Sequence, residues 1–181
     1  RDRFSYSQIR AIVEAYLTYL ATQEAKLADT LMLDHIRAIQ QALDAFVQSK
    51  FIEPASKEKD IPYSQRNYLI KATRRPLLEY YKNNCIAFFI PAAFTALAIL
   101  EKDAFQFSAS DLHANYKFLQ NLFKFEFAYD IDKAPELYVR KTVKAFIDDA
   151  ILMPHQTIPD TYNVTSSGFR KLRLYSIFLK T

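Results

Sequence analysis

The sequence predicts a mainly α-helical chain with short β-hairpins (α+β), arranged as two winged-helix-like modules around a long apolar central helix. Three observations carry this. Gly168 is the only glycine in 181 residues, so helices are favoured over tight turns. Apolar residues recur at spacings of three and four. One phrase occurs twice, as "AFVQSKFIEP" ending at Pro54 and as "AFIDDAILMP" ending at Pro154, a hundred positions on. The matches Ala45/Ala145, Phe46/Phe146, Val47/Ile147, Ile52/Leu152 and Pro54/Pro154 read as an internal repeat.

The first helix follows a cap at Ser7 and carries Ile9, Ile12, Val13, Tyr16, Leu17 and Leu20 on one stripe. A second starts near Asp34, with Ile36, Ile39, Leu43, Phe46 and Val47. The apolar "FIEP", a charged proline-bearing loop "ASKEKDIPYSQRN" and "YLI" then read as a hairpin. Thr73 and Pro76 open the long helix, since proline is tolerated in a first helical turn. The order returns with helices from about Ser110 to Phe125 and from about Pro135 to Ala150. A shorter loop "HQTIPDT", the strand "YNV" and a closing helix from about Ser167 complete it. The expected partition is 1–76 for the first module, 77–104 for the central helix and 105–181 for the second module. Each unit of helices, hairpin and helix has the layout of a winged-helix module.

The stretch "LLEYYKNNCIAFFIPAAFTALAIL", Leu77 to Leu100, raises the question of a membrane span. Its uninterrupted apolar part, Cys85 to Leu100, gives about 24 Å of helix against a hydrocarbon core of about 30 Å. Pro91 interrupts it, and no second span is at hand to pair with it. The expectation is a buried core helix, shared between the modules.

Composition excludes several chemistries. With one glycine there is no phosphate-cradling loop, so Rossmann and P-loop readings fail. The single Cys85 permits no disulfide framework or metal quartet, fits a reducing compartment and is expected in core packing. A net charge of +4 permits an anionic partner without selecting one. The chain starts at Arg1 without methionine and stops inside a periodic pattern, so a fragment of a longer protein is expected.

"HQTIPD" sets His155 and Asp160 at the H-x4-D spacing of glycerolipid acyltransferases, where histidine acts as general base and the carboxylate orients its ring. The glycine-containing acidic motif expected downstream is missing, so the two are read as residues of the second wing. His35 and His113 stand apart without ligand spacing and are read as surface or capping groups; no metal or cofactor is expected. The basic groups Arg74, Arg75 and Lys82, and Arg170, Lys171 and Arg173, each follow an expected wing. They are candidates for contact with anionic lipid headgroups or an acidic partner, against the plainer reading of a solvated helix face. Nucleic acid is disfavoured, because the helices before the wings carry Asp44, Asp148 and Asp149 where a recognition helix needs a basic or amide-rich face. A tandem winged-helix nucleic-acid-binding module is the alternative reading.

"YYKNN", Tyr80 to Asn84, followed by an apolar run, Pro91 and a further apolar stretch, resembles the C-terminal region of bacterial membrane-associated glycerol-3-phosphate acyltransferases and of their relatives that acylate dihydroxyacetone phosphate. The later "LHANYKFLQNLFKFEF" is similar to a leucine- and phenylalanine-rich helix of that family. The resemblance implies a parent enzyme that moves a fatty acyl group from a coenzyme A or acyl-carrier-protein thioester to the 1-hydroxyl of glycerol 3-phosphate. It implies that the catalytic histidine and aspartate lie upstream, in an acyltransferase domain, so His155 and Asp160 receive no carried-over role and this chain is a non-catalytic structural or docking domain. Its expected partners are that upstream domain, an anionic membrane surface and acyl carrier protein, and its expected place is peripheral, at the cytoplasmic side of the cell membrane.

Overall fold

A computed structural model describes residues 2–23, 25–56, 58, 61–127 and 133–179. The charged positions 57, 59 and 60 of the loop expected as the first wing lie outside the described residues. The chain is mainly helical with two small antiparallel sheets of three strands. It divides into two compact units, Arg1–Leu17 with Glu24–Asn84, and Thr18–Gln23 with Cys85–Thr181.

In the first unit, β1 (Arg3–Ser5) leads directly into α1 (Tyr6–Thr22). Ser5 sits before that helix and accepts the Gln8 N–H through Oγ at 3.1 Å, while its own N–H donates to Gln8 Oε1 at 2.8 Å. This is a capping box, two otherwise orphaned donors satisfied reciprocally. The cap is therefore Ser5 and not the expected Ser7, which lies in the first turn and meets Ser5 Oγ at 2.9 Å. After the short α2 (Asp29–Leu33), Asp34 caps α3 (His35–Gln48) by accepting the Arg37 N–H at 2.9 Å. Then β2 (Ile52–Pro54) and β3 (Asn67–Ile70) form the hairpin, and β3 lies in the middle of the sheet between β1 and β2. Tyr6, Ile39, Leu43, Ile52 and Tyr68 form the buried core beneath it.

The helix α4 (Arg75–Leu100) contributes its first residues to this unit and the rest to the second. It continues through Pro91, whose carbonyl accepts the Thr95 hydroxyl at 2.8 Å. Cys85 is exposed rather than packed in a core. Counting from Ala72 to Leu100, the segment is long and apolar enough to cross a membrane by length and composition, so the shorter apolar count from Cys85 understated it.

The second unit repeats the plan with β4 (Gln106–Ser108), α5 (Ala109–Leu122), α6 (Pro135–Asp148), β5 (Leu152–Pro154), β6 (Thr161–Val164) and α7 (Gly168–Ser176). Here β6 is the middle strand, and Ser108 Oγ accepts the Asp111 N–H at 3.2 Å as Ser5 does for Gln8.

The repetition reaches single backbone hydrogen bonds. Phe51 N–H donates to Phe46 O at 2.9 Å, and Ile151 N–H to Phe146 O at 2.8 Å. Lys71 donates to Phe51 at 3.1 Å, and Thr165 to Ile151 at 3.0 Å. Tyr6 donates to Arg66 at 3.0 Å, and Ala109 to Asp160 at 2.8 Å. Both turns from helix to strand pass through a left-handed residue, Lys50 at φ 58° and Ala150 at φ 52°. Glycine is the usual residue there, and neither copy has one. The one glycine serves a different need: a Cβ on Gly168 would lie 2.2 Å from the Ile151 carbonyl oxygen.

Candidate functional site

The histidines are the first place to look for chemistry. His155 is held by its own loop, its Nδ1 accepting the backbone N–H groups of Thr157 at 3.2 Å and Ile158 at 3.1 Å. Asp160 lies at the foot of the same loop at φ 51°, with its carbonyl accepting the Ala109 N–H at 2.8 Å. The pair belongs to the loop between β5 and β6, and the His155 ring nitrogen orders a turn of that loop.

His35 Nε2 lies 3.2 Å from Glu14 Oε1, and Arg10 Nε lies 2.7 Å from the same oxygen. Arg10 first, then His35, holds the Glu14 carboxyl below its ordinary range. This exposed cluster ties the start of α3 to α1. Among the described residues no group of His, Cys, Asp and Glu is assembled to hold a metal ion.

The six basic residues divide into two sets. Arg75 pairs with Asp2, Lys82 Nζ lies 2.6 Å from Glu79, and Lys171 Nζ donates at 2.8 Å both to the Asp149 carboxylate and to the Asp149 carbonyl at the end of α6. Lys171 is thus a partly buried C-terminal clamp on α6. Arg74, Arg170 and Arg173 are exposed and form no ion pair among the described residues.

Each unit also holds a cleft, the first between α3 and its hairpin and the second mainly between α5 and α6 with β6 at its edge. One of about 530 Å³ in the first unit is lined by Arg3, Asp44, Val47, Arg66 and Tyr68. Another of about 660 Å³ in the second is lined by Leu112, His113, Arg140, Lys144, Ile147 and Tyr162. Val47 and Ile147 are equivalent positions, as are Asp44 and Lys144, so the wall is kept and the charge reversed. Beside the first cleft the Tyr63 hydroxyl donates to Asp44, and the Arg66 guanidinium lies 3.8 Å from the Tyr63 ring centre. The hydrogen bond to Asp44 is the main reason the Tyr63 hydroxyl is pushed up from its ordinary value. An un-ionised tyrosine already donating to a carboxylate is a poor nucleophile or base.

An aromatic patch in the first unit lies apart from the candidate site residues that the sequence suggests. Phe46, Phe51 and Tyr81 meet with ring centres 5.7 to 6.0 Å apart, and Tyr80 adds a T-shaped contact to Tyr81 at 6.3 Å. Tyr80 and Tyr81 are exposed, as is Leu77 one turn earlier. The signal was available in the sequence, since "YYKNN" follows a hairpin at the register of "LYSIF" in the second copy.

No curated protein and no solved structure matches the chain. A family model does, that of the glycerol-3-phosphate acyltransferase C-terminal region, and it covers residues 1–181. The chain therefore belongs to the glycerol-3-phosphate acyltransferase C-terminal region family.

Proposed function

We propose that this chain is the non-catalytic C-terminal domain of a glycerol-3-phosphate acyltransferase, built from two winged-helix-like modules and serving to dock the enzyme. A C-terminal region of such an enzyme implies an acyltransferase domain upstream in the same chain. The winged-helix reading is supported by a strand, two long helices and two further strands with the last strand in the middle of the sheet, a plan found twice, to which the first unit adds the short α2. Supporting a peripheral position at the cytoplasmic side of the cell membrane are Arg74, Arg170 and Arg173, exposed cations suited to anionic headgroups or to an acidic protein such as acyl carrier protein.

The observation that carries the non-catalytic role is the environment of His155, whose Nδ1 is occupied by two backbone donors of its own loop. The test has two arms. Incubated with acyl-CoA and glycerol 3-phosphate, residues 1–181 alone form no lysophosphatidate, and His155→Ala in the full-length parent leaves turnover unchanged. Product from the isolated chain that disappears on His155→Ala would show a catalytic domain instead.

A further inference from the structure

The two units carry the same surface in two states. In the second unit, Thr142, Ala145 and Phe146 of α6 form one helix face with Tyr175 of α7 beside it. All four are buried, at 0%, 3%, 1% and 2% exposure. The Phe146 and Tyr175 rings meet at 5.1 Å, and aromatic side chains from other helices of the unit close over them. Tyr19 reaches Tyr175 at 5.4 Å and stacks on Phe89 at 5.8 Å, and Phe89 stacks on Phe178 at 4.5 Å.

The repeat places Ala42, Ala45, Phe46 and Tyr81 at the equivalent positions of the first unit. Matching backbone bonds fix that register on both sides of the hairpin, Phe51 to Phe46 with Ile151 to Phe146, and Arg74 to Lys71 with Gly168 to Thr165. Phe46 meets Tyr81 at 6.0 Å, the counterpart of the Phe146–Tyr175 contact. Here the face is uncovered: Ala42 and Ala45 are exposed, Phe46 is only half-buried and Tyr81 is 51% exposed.

We infer that this open face of the first unit, with Ala42 and Ala45 as its floor and Phe46, Tyr80 and Tyr81 as its rim, is the seat for an aromatic-bearing helix of the upstream acyltransferase domain. The second unit shows the chemistry of the occupant, helical aromatic side chains of which one, Tyr19, packs directly on the tyrosine of a phenylalanine–tyrosine pair and a second, Phe89, backs it. A domain on the same chain is held near the seat at a high effective concentration, so a modest apolar face suffices. The rim is also free of fixed charge, which suits an apolar partner rather than a charged one.

The inference rests on the docking reading above and is tested in the full-length parent. With the photoreactive p-benzoylphenylalanine replacing Tyr80, irradiation is expected to join that position to a helix of the upstream domain within one chain, located by mass spectrometry. The double variant Ala42→Arg/Ala45→Arg puts two cations on exposed helical positions, where arginine keeps the helix. It is expected to reduce acyltransfer about tenfold or more while residues 1–181 retain their melting temperature, about the effect of losing one well-packed contact. Crosslinks only to a second copy or to lipid, or full activity in the arginine variant, overturn the assignment of the seat. Deleting residues 1–181 separates the two levels. If deletion abolishes activity while the crosslink and the arginine effect are both missing, docking stands and this surface is wrong. If deletion leaves the parent fully active, the docking reading itself fails.

Discussion

Gly168 packs its Cα against the carbonyl of Ile151, and an added Cβ would stand 2.2 Å from that oxygen. The neighbouring atoms cannot yield easily, because Ile151 O already accepts the Thr165 N–H at 3.0 Å and Thr165 Oγ1 donates to Ala150 O at 2.8 Å. Gly168→Ala must push the start of α7 away from Ile151 and Thr165. The expected cost is about 1–3 kcal/mol, as for other overpacked sites, read as a lower denaturation midpoint at unchanged slope. An unchanged midpoint would mean that α7 is not seated there.

The opposite substitution is expected to help at Ala150, which closes the helix-to-strand turn at φ 52° without the freedom of glycine. Left-handed backbone costs an L-residue about 1–2 kcal/mol, partly offset by the larger unfolded entropy of glycine. Ala150→Gly should therefore stabilise by up to about 1 kcal/mol, or about 2–4 °C in melting temperature for a chain of this size. Lys50→Gly, at the equivalent turn with φ 58°, should act the same way, and a loss of stability in both would contradict the turn geometry.

A repeat by itself implies equal burial for Phe46 and Phe146, and the structure separates them. Their backbone roles are identical, but Phe146 is 1% exposed and Phe46 only half-buried. Phe146→Ala is expected to cost about 3–5 kcal/mol and Phe46→Ala clearly less, about 1–3 kcal/mol. Chemical denaturation of the two variants side by side decides it, and equal losses would mean that the first unit's face is covered after all.

That contrast shows what the sequence makes legible. The long helices, both hairpins and the helix starts at Asp34 and Pro135 follow from periodicity and turn chemistry, which are local, whereas the outer strands β1 and β4 and the short α2 carry no such signal. The matched letters at Ile52/Leu152 and Phe46/Phe146 identify a repeated backbone, because register in a small sheet is set by residues that alternate inward. What letters cannot convey is which neighbour covers a face: Ala45 and Ala145 are the same residue, one exposed and one buried. Ion pairing is hidden for the same reason. Arg75 and Lys171 look alike in a basic run, yet each is engaged by a carboxylate brought near by the fold. The family resemblance read from "YYKNN" and the apolar run holds over the whole chain.

Acid should weaken the second unit through Asp111. Its carboxylate lies 2.7 Å from Lys102 Nζ, which, with the Ser108 cap, holds it below the ordinary aspartate range. A depressed folded value means the contribution is complete above the unfolded value, about pH 3.9, and is lost as pH falls through the lower folded one. Asp111→Asn should therefore narrow the gap in melting temperature between neutral and strongly acid solution. An unchanged gap would show that this exposed pair contributes nothing measurable, as many surface pairs do.

The last expectation concerns α4, whose length and composition would allow it to cross a membrane. Phe89 to Ala96 are all buried, and eight successive residues point in every direction around a helix. That half is therefore surrounded by its own protein: Phe94 meets Tyr116 at 5.7 Å and Phe123 at 5.8 Å, while Phe89 stacks on Phe178. Lipid has no free face to occupy there. The chain is expected to be recovered without detergent, to float with anionic vesicles at low salt through exposed cations such as Arg74, Arg170 and Arg173, and to release at high salt. Each such cation near a charged surface contributes about 1 kcal/mol, and salt screens it. Charge reversal at those three arginines should abolish flotation. Recovery only in detergent, or flotation with neutral vesicles that survives a high-salt wash, would place α4 in lipid and overturn its assignment as a core helix.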